Sequence, residues 1–308
     1  MGGTVSAFSV PSSHSGVTAF HPPTTVYGVD FSGARRAGDS TYLAEATADG
    51  DALRVESVAA APSRLGTDAA RESVLPALRS FVAEAGPRAA FGLDFSFGLP
   101  AFLLDAAHVA DWDAFVRWFP DGFADPSAFA DWAGSVAADR DGDRTYYRRE
   151  TDRRVGATSP YHFFVKAQTF YGVRDVLKPL VTDGSVRVLP MHAPDPATPW
   201  VLEAYPAATL ERLGGHRERY KTADAAGRRR RAANLDALES AGATAPGTVT
   251  VAPDVRTAAV DDADGDALDA VVAAVAAWHH TRDAGRLSPD GTAWRREGHI
   301  FAGPTRPE

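Results

Sequence analysis

Two short apolar runs, each ending in an aspartate, constrain this chain more than any other feature. Val26-Tyr27-Gly28-Val29-Asp30 leads into Phe31-Ser32-Gly33, and Gly92-Leu93-Asp94 leads into Phe95-Ser96-Phe97-Gly98. Short apolar runs bounded by turn residues predict buried strands, here over 26–30 and 89–95. An ionised carboxylate at the end of such a strand is costly to bury alone, so each aspartate needs a partner or a metal. If the strands are parallel neighbours, a spacing of about 4.8 Å sets the carboxylates side by side. Two divalent ions roughly 3.5–4 Å apart can be bridged and flanked by such groups. The bland alternative is that both aspartates cap turns, a position Asp favours; the matched pair favours joint use.

Alternation predicts further strands over 41–47 and 53–58, with Asp49-Gly50-Asp51 as the hairpin turn between them. Strands are also predicted over 186–189 and 200–204. Helical spacing covers 67–85, stopped by Gly86-Pro87, and then 163–181, 207–213, 222–240 and 263–279. Residues 100–160, rich in Trp, Phe and Asp, read as an inserted, mainly helical segment. Its aromatics over 112–132 either stack bases or form the core of the insertion. Together the elements predict one α/β domain over 24–303 with a mixed sheet flanked by helices. Residues 1–23 are expected to be a flexible tail.

Composition narrows the function. There is no cysteine among the 308 residues, which excludes disulfides, Cys-zinc sites and thiol nucleophiles. A net charge of −8 excludes a general nucleic-acid or membrane binder acting through bulk charge. Any polyanion contact must come from a local basic patch. No apolar run reaches the roughly 18 residues of a membrane span, and no secretory signal opens the chain, so a cytoplasmic location is expected. The histidines form no metal signature, and no Walker-type phosphate loop is present.

A third acid, Glu203, ends the apolar run Trp200-Val201-Leu202-Glu203. Asp266 and Asp269, three apart, share one face near the start of the last helix. Strand-end acids followed by Asp-x-x-Asp on a C-terminal helix resemble the ribonuclease-H superfamily, and most closely its Holliday-junction resolvase branch. The chain also resembles the domain of unknown function 429 family of predicted ribonuclease-H-like nucleases. The matching stretches are Gly28 to Gly33, Gly92 to Pro100, Arg149 to Asp152, Ser159-Pro160, Gln168 to Gly172, Glu203 to Pro206, Asp266 to Asp269 and Glu297 to Phe301. The resemblance implies a ribonuclease-H-like fold and a metal-dependent nuclease. Asp30, Asp94, Asp266 and Asp269 are then the expected ligands of Mg²⁺ or Mn²⁺, with Glu203 a further catalytic acid. Alternatives stay open for each: Glu203 pairs with a buried arginine, or Asp266 serves the helix dipole. Asp261, Asp262 and Asp264 read as a solvated loop.

Nucleic acid is the expected partner. Arg148, Arg149 and Arg153, with Lys166, Gln168 and Lys221, are the expected phosphate contacts, since guanidinium matches phosphate geometry. The run Arg228 to Arg231 reads as a solvated helix face. Two rival functions remain at this level. One is a nucleotide-binding phosphotransferase of the actin and sugar-kinase class, suggested by Gly28 to Gly33. The other is a non-catalytic nucleic-acid-binding module.

Overall fold

The computed structural model describes residues 20–140, 144–240 and 247–304. The strands are β1 (Thr25–Asp30), β2 (Tyr42–Asp49), β3 (Ala52–Ala60), β4 (Ala89–Asp94), β5 (Arg187–Leu189), β6 (Trp200–Ala204), β7 (Thr248–Val251) and β8 (Ile300–Phe301). They form one mixed sheet in the order β5-β6-β4-β1-β2-β3-β7. The β1-β2-β3 meander is antiparallel, and β4 joins β1 in parallel. β6 runs parallel to β4, while β5 and β8 share its other edge. Helices cover both faces. Among the described residues no helix is long and apolar enough to cross a membrane.

The register of β1 on β4 positions everything that follows. Gly28 lies opposite Gly92, and Asp30 opposite Asp94. Side chains alternate across a strand, so both glycines and both aspartates face one side of the sheet. Across that side runs the helix Asp266–Thr281, rich in alanine and buried on nearly every flank. A Cβ on Gly28 would meet the Ala270 carbonyl at 1.9 Å, and one on Gly92 the Ala273 carbonyl at 2.4 Å. The two glycines therefore let the helix backbone lie against the sheet, which carries its first turn over the strand-end aspartates.

The opposite face holds the larger core. Tyr27, Val29, Phe91 and Leu93 meet the helix Arg71–Glu84 and the helices inserted after β4. Trp112, Phe115, Phe119 and Phe129 of that insertion are fully buried. They are core, and the base-stacking alternative for residues 112–132 is not available to them. The helix expected from 163 begins only at Lys166, with turns over 161–165. It continues as a π-helical stretch, Gly172–Leu177, before Pro179, which has no N–H to donate. Residues 1–19 of the expected tail lie outside the described residues. Phe20, at its end, packs on Trp200 at 5.7 Å between ring centres.

Candidate functional site

Four carboxylates gather where the helix Asp266–Thr281 begins. Asp30 and Asp94 come from adjacent strand ends, Asp266 and Asp269 from the first helical turn. Asp30 and Asp269 are buried. Burial raises the Asp30 carboxyl well above its usual range, with Lys221 opposing and Asp269 and Asp94 adding to the rise. Burial and the Asp269 charge push Asp94 up to about 8. Asp266 and Asp269 are raised as well, again chiefly by burial. Excess negative charge held out of water is the common cause.

One cation answers these acids. The Lys221 ammonium lies 2.7 Å from Asp269 Oδ2 and 3.5 Å from Asp266 Oδ1. Burial disfavours its charge, but Asp269 and Asp30 outweigh that and raise its pKa. Tyr220 donates its hydroxyl to Asp269 Oδ1 at 2.8 Å. Lys221, expected as a phosphate contact, is thus an internal partner of the acids that keeps an exposed flank.

The segment that delivers Tyr220 and Lys221 is held by a residue the sequence disguised. Arg231, read there as part of a solvated run, is buried and donates to the carbonyls of Tyr220, Thr222 and Val260. Its neighbour Arg228 pairs with Asp261. A run of four arginines carries no mark of which one turns inward. Asp262 also departs from the solvated-loop expectation: its Oδ2 accepts the Ala267 N–H at 2.8 Å, at the start of the long helix.

Glu203 and Arg149 belong to a second assembly. β6 pairs Glu203 with Leu93, not with Asp94. That one-residue offset sends Glu203 to the opposite face from Asp94. There Arg149, wholly buried, donates to both oxygens of Glu203, at 2.5 and 2.8 Å, and to both of Asp152. Phe97 N–H adds a bond to Glu203, and the Arg149 Nη1 also reaches the Glu297 carbonyl. Burial raises the Glu203 carboxyl against the pull of Arg149. Arg149, expected to bind phosphate, has no surface to offer. Glu297 completes this brace by accepting from the backbone of Ala101 and Glu150.

Of the remaining expected contacts, Gln168 lines a small hollow of about 60 Å³ together with Asp94, Ser96, Thr158, Asp152 and Glu203. Gln168 donates to the Phe31 carbonyl at 2.7 Å, beside Asp30. Lys166 donates to Ser127 Oγ at 3.2 Å. Arg148 and Arg153 are exposed, and an Arg153 Nη1 donates to the Arg148 carbonyl.

Among the described residues, no three His, Asp or Glu side chains are arranged to hold a metal ion. The Lys221 ammonium occupies the position between Asp266 and Asp269. The donor chemistry nonetheless fits a hard cation: all donors are carboxylate oxygens, and their acidity is suppressed by one another and by burial.

A family model described as a protein of unknown function (DUF429) matches residues 185–293. That span includes Glu203, Lys221, Asp266 and Asp269, and excludes Asp30 and Asp94. No curated protein and no solved structure matches the chain.

Proposed function

We propose that this chain is a ribonuclease-H-like nuclease that hydrolyses phosphodiester bonds with a divalent cation. The observation that carries the reading is the register of Asp30 on Asp94 beneath Asp266 and Asp269. Asp30, Asp94 and Asp269 would hold Mg²⁺ or Mn²⁺, with Asp266 completing the set; Glu203 is excluded because Arg149 takes both its oxygens. Such an ion, once bound, activates water and stabilises the leaving oxygen.

The chain's own groups have separable roles. Asp30 and Asp266, both raised by burial, would face the cation with their carboxylates. Tyr220 keeps Asp269 oriented. Lys221, whose ammonium keeps an exposed flank beside Asp269, would offer it to a non-bridging phosphate oxygen. Arg231 fixes the segment that carries both.

The test is cleavage of labelled single-stranded and duplex oligonucleotides with Mg²⁺ or Mn²⁺. Removing even an indirect metal contact typically costs 10–100-fold, so Asp30→Asn or Asp94→Asn should cost about a hundredfold or more. Cleavage that survives both substitutions, or none at all in the wild type, would contradict the assignment. ATP turnover in its place would move the assignment to a phosphotransferase.

A further inference from the structure

Among the described residues, the exposed large hydrophobic side chains are Tyr146, Phe163 and Phe164, at 39%, 56% and 76% exposure. They lie together. The His162 ring sits 4.5 Å from Tyr146 and 4.4 Å from Phe163, and Phe163 sits 3.9 Å from Phe164. Single exposed apolar residues need no explanation, but a contiguous cluster marks an interaction site. The local cause is the late start of the helix at Lys166, which leaves 162–164 in turns outside it. The ledge is nonetheless fixed. Tyr161, buried beneath it, accepts the Tyr147 N–H on its hydroxyl at 2.7 Å and ties the two limbs together.

We infer that this ledge is a stacking platform for unpaired bases, so that the substrate is single-stranded nucleic acid or a duplex with an unpaired end. The inference rests on the nuclease reading above for its catalytic meaning. Three observations select this occupant. First, the rings are flanked by cations. Arg144 and Arg148 lie two residues to either side of Tyr146 in the sequence. These two and Arg153 are exposed and form no ion pair with a carboxylate among the described residues. Rings that accept any base face, set among cations that follow a backbone, are what single-strand binders combine. Second, the segment that carries the ledge also reaches the hollow beside the carboxylates. Phe163 and Lys166 line an outer hollow of about 410 Å³, while Val165 and Gln168 of the same segment line the hollow beside Asp94. Third, Asp131 is the one acid among the described residues that lines the outer hollow, and Lys166 lines it with the opposite charge.

The experiment is fluorescence anisotropy with the full chain, in chelator to prevent turnover, using a labelled single strand and the same sequence as duplex. The wild type should bind the single strand more tightly. The double variant Phe163→Ala/Phe164→Ala should lose about tenfold or more on the single strand and leave duplex binding unchanged. Phe163→Tyr/Phe164→Tyr should retain the single-strand affinity. Equal affinity for both forms, or a double alanine variant with unaltered single-strand binding, overturns the platform. So does a change of oligomeric state in that variant with nucleic-acid affinity intact, which would make the ledge a contact between copies. Metal-dependent cleavage with ledge-independent binding would overturn the platform and leave the nuclease standing. Ledge-dependent binding without cleavage in any divalent ion would support the platform and overturn the nuclease.

Discussion

Two clusters of acids border the same hollow, and they are built in opposite ways. Around Arg149, both carboxylates of Asp152 and Glu203 are matched to one planar guanidinium and to backbone N–H groups. Around Asp30, four carboxylates share one ammonium and one phenol. The first cluster satisfies its charges and ties β6, the loop after β4, the helix Glu150–Val155 and the chain's end into one unit. The second leaves its charges under-matched, and burial raises its acids. Acidic residue type alone does not distinguish a brace from a site; the balance of partners does.

Breaking the brace should have the largest effect. Arg149→Met leaves two buried carboxylates without their cation, and loss of one member of a buried ion pair costs about 3–5 kcal/mol. Urea unfolding at neutral pH would read this directly. A loss below about 1 kcal/mol would erase the distinction between the clusters.

Arg231→Ala should come next. It strips charged hydrogen bonds from the carbonyls of Tyr220, Thr222 and Val260, at about 2–3 kcal/mol of stability. Because those carbonyls hold the Lys221 segment, cleavage should fall as well. An active but destabilised variant would show that the segment needs no such anchor.

Substitution within the unmet cluster should act in the other direction. Asp94→Asn removes repulsion, so the metal-free protein should be as stable as the wild type or more so, by about 1 kcal/mol. The pH dependence sharpens this. Folded Asp94 holds its proton to about pH 8, against 3.8 when unfolded. Its contribution is therefore full at low pH and is lost as pH rises through that window. His279, His280 and His299 have the opposite sign: burial lowers them to about 2, 4 and 3, so their contribution is lost as pH falls below 6.5. The histidine contribution to the slope fades as pH rises to about 7.5, so from there to about 8 the carboxylates dominate. Melting temperature should fall over that range in metal-free wild type and flatten in Asp94→Asn. Parallel curves for the two proteins would contradict the raised carboxyl.

The smallest effect belongs to Asp264→Asn. Asp264 is exposed and forms no ion pair among the described residues, so stability should move by less than about 0.5 kcal/mol and cleavage not at all. Asp262 is no equivalent control, because it accepts the Ala267 N–H.

The sequence carried the local parts of this picture. Apolar runs located β1, β4 and β6, and three-residue spacing placed Asp266 and Asp269 on one helical face. It did not carry register. Whether Glu203 stands beside Asp94 or one residue short of it depends on pairing across β6, and that offset turns it toward Arg149, although its charge still adds to the rise of Asp94. Nor did it carry burial of charge: Arg149 and Arg231 look like their exposed neighbours until tertiary contacts enclose them. β8, two residues long, falls below the length at which alternation is readable, and β7 is a four-residue Thr-Val alternation at the edge of the sheet. The helix beginning at Lys166 was drawn too early because Phe163 and Phe164 fit its apolar spacing while lying outside it.

On the proposed function, the carboxylates of Asp30 and Asp94 bind a hard divalent cation. Calorimetric titration of the metal-free chain with Mn²⁺ tests it most directly, with Asp94→Asn and Asp264→Asn measured alongside. Saturable binding in the wild type and in Asp264→Asn is expected, weakened at least about tenfold in Asp94→Asn. No saturable binding, or equal binding in all three proteins, would contradict the account.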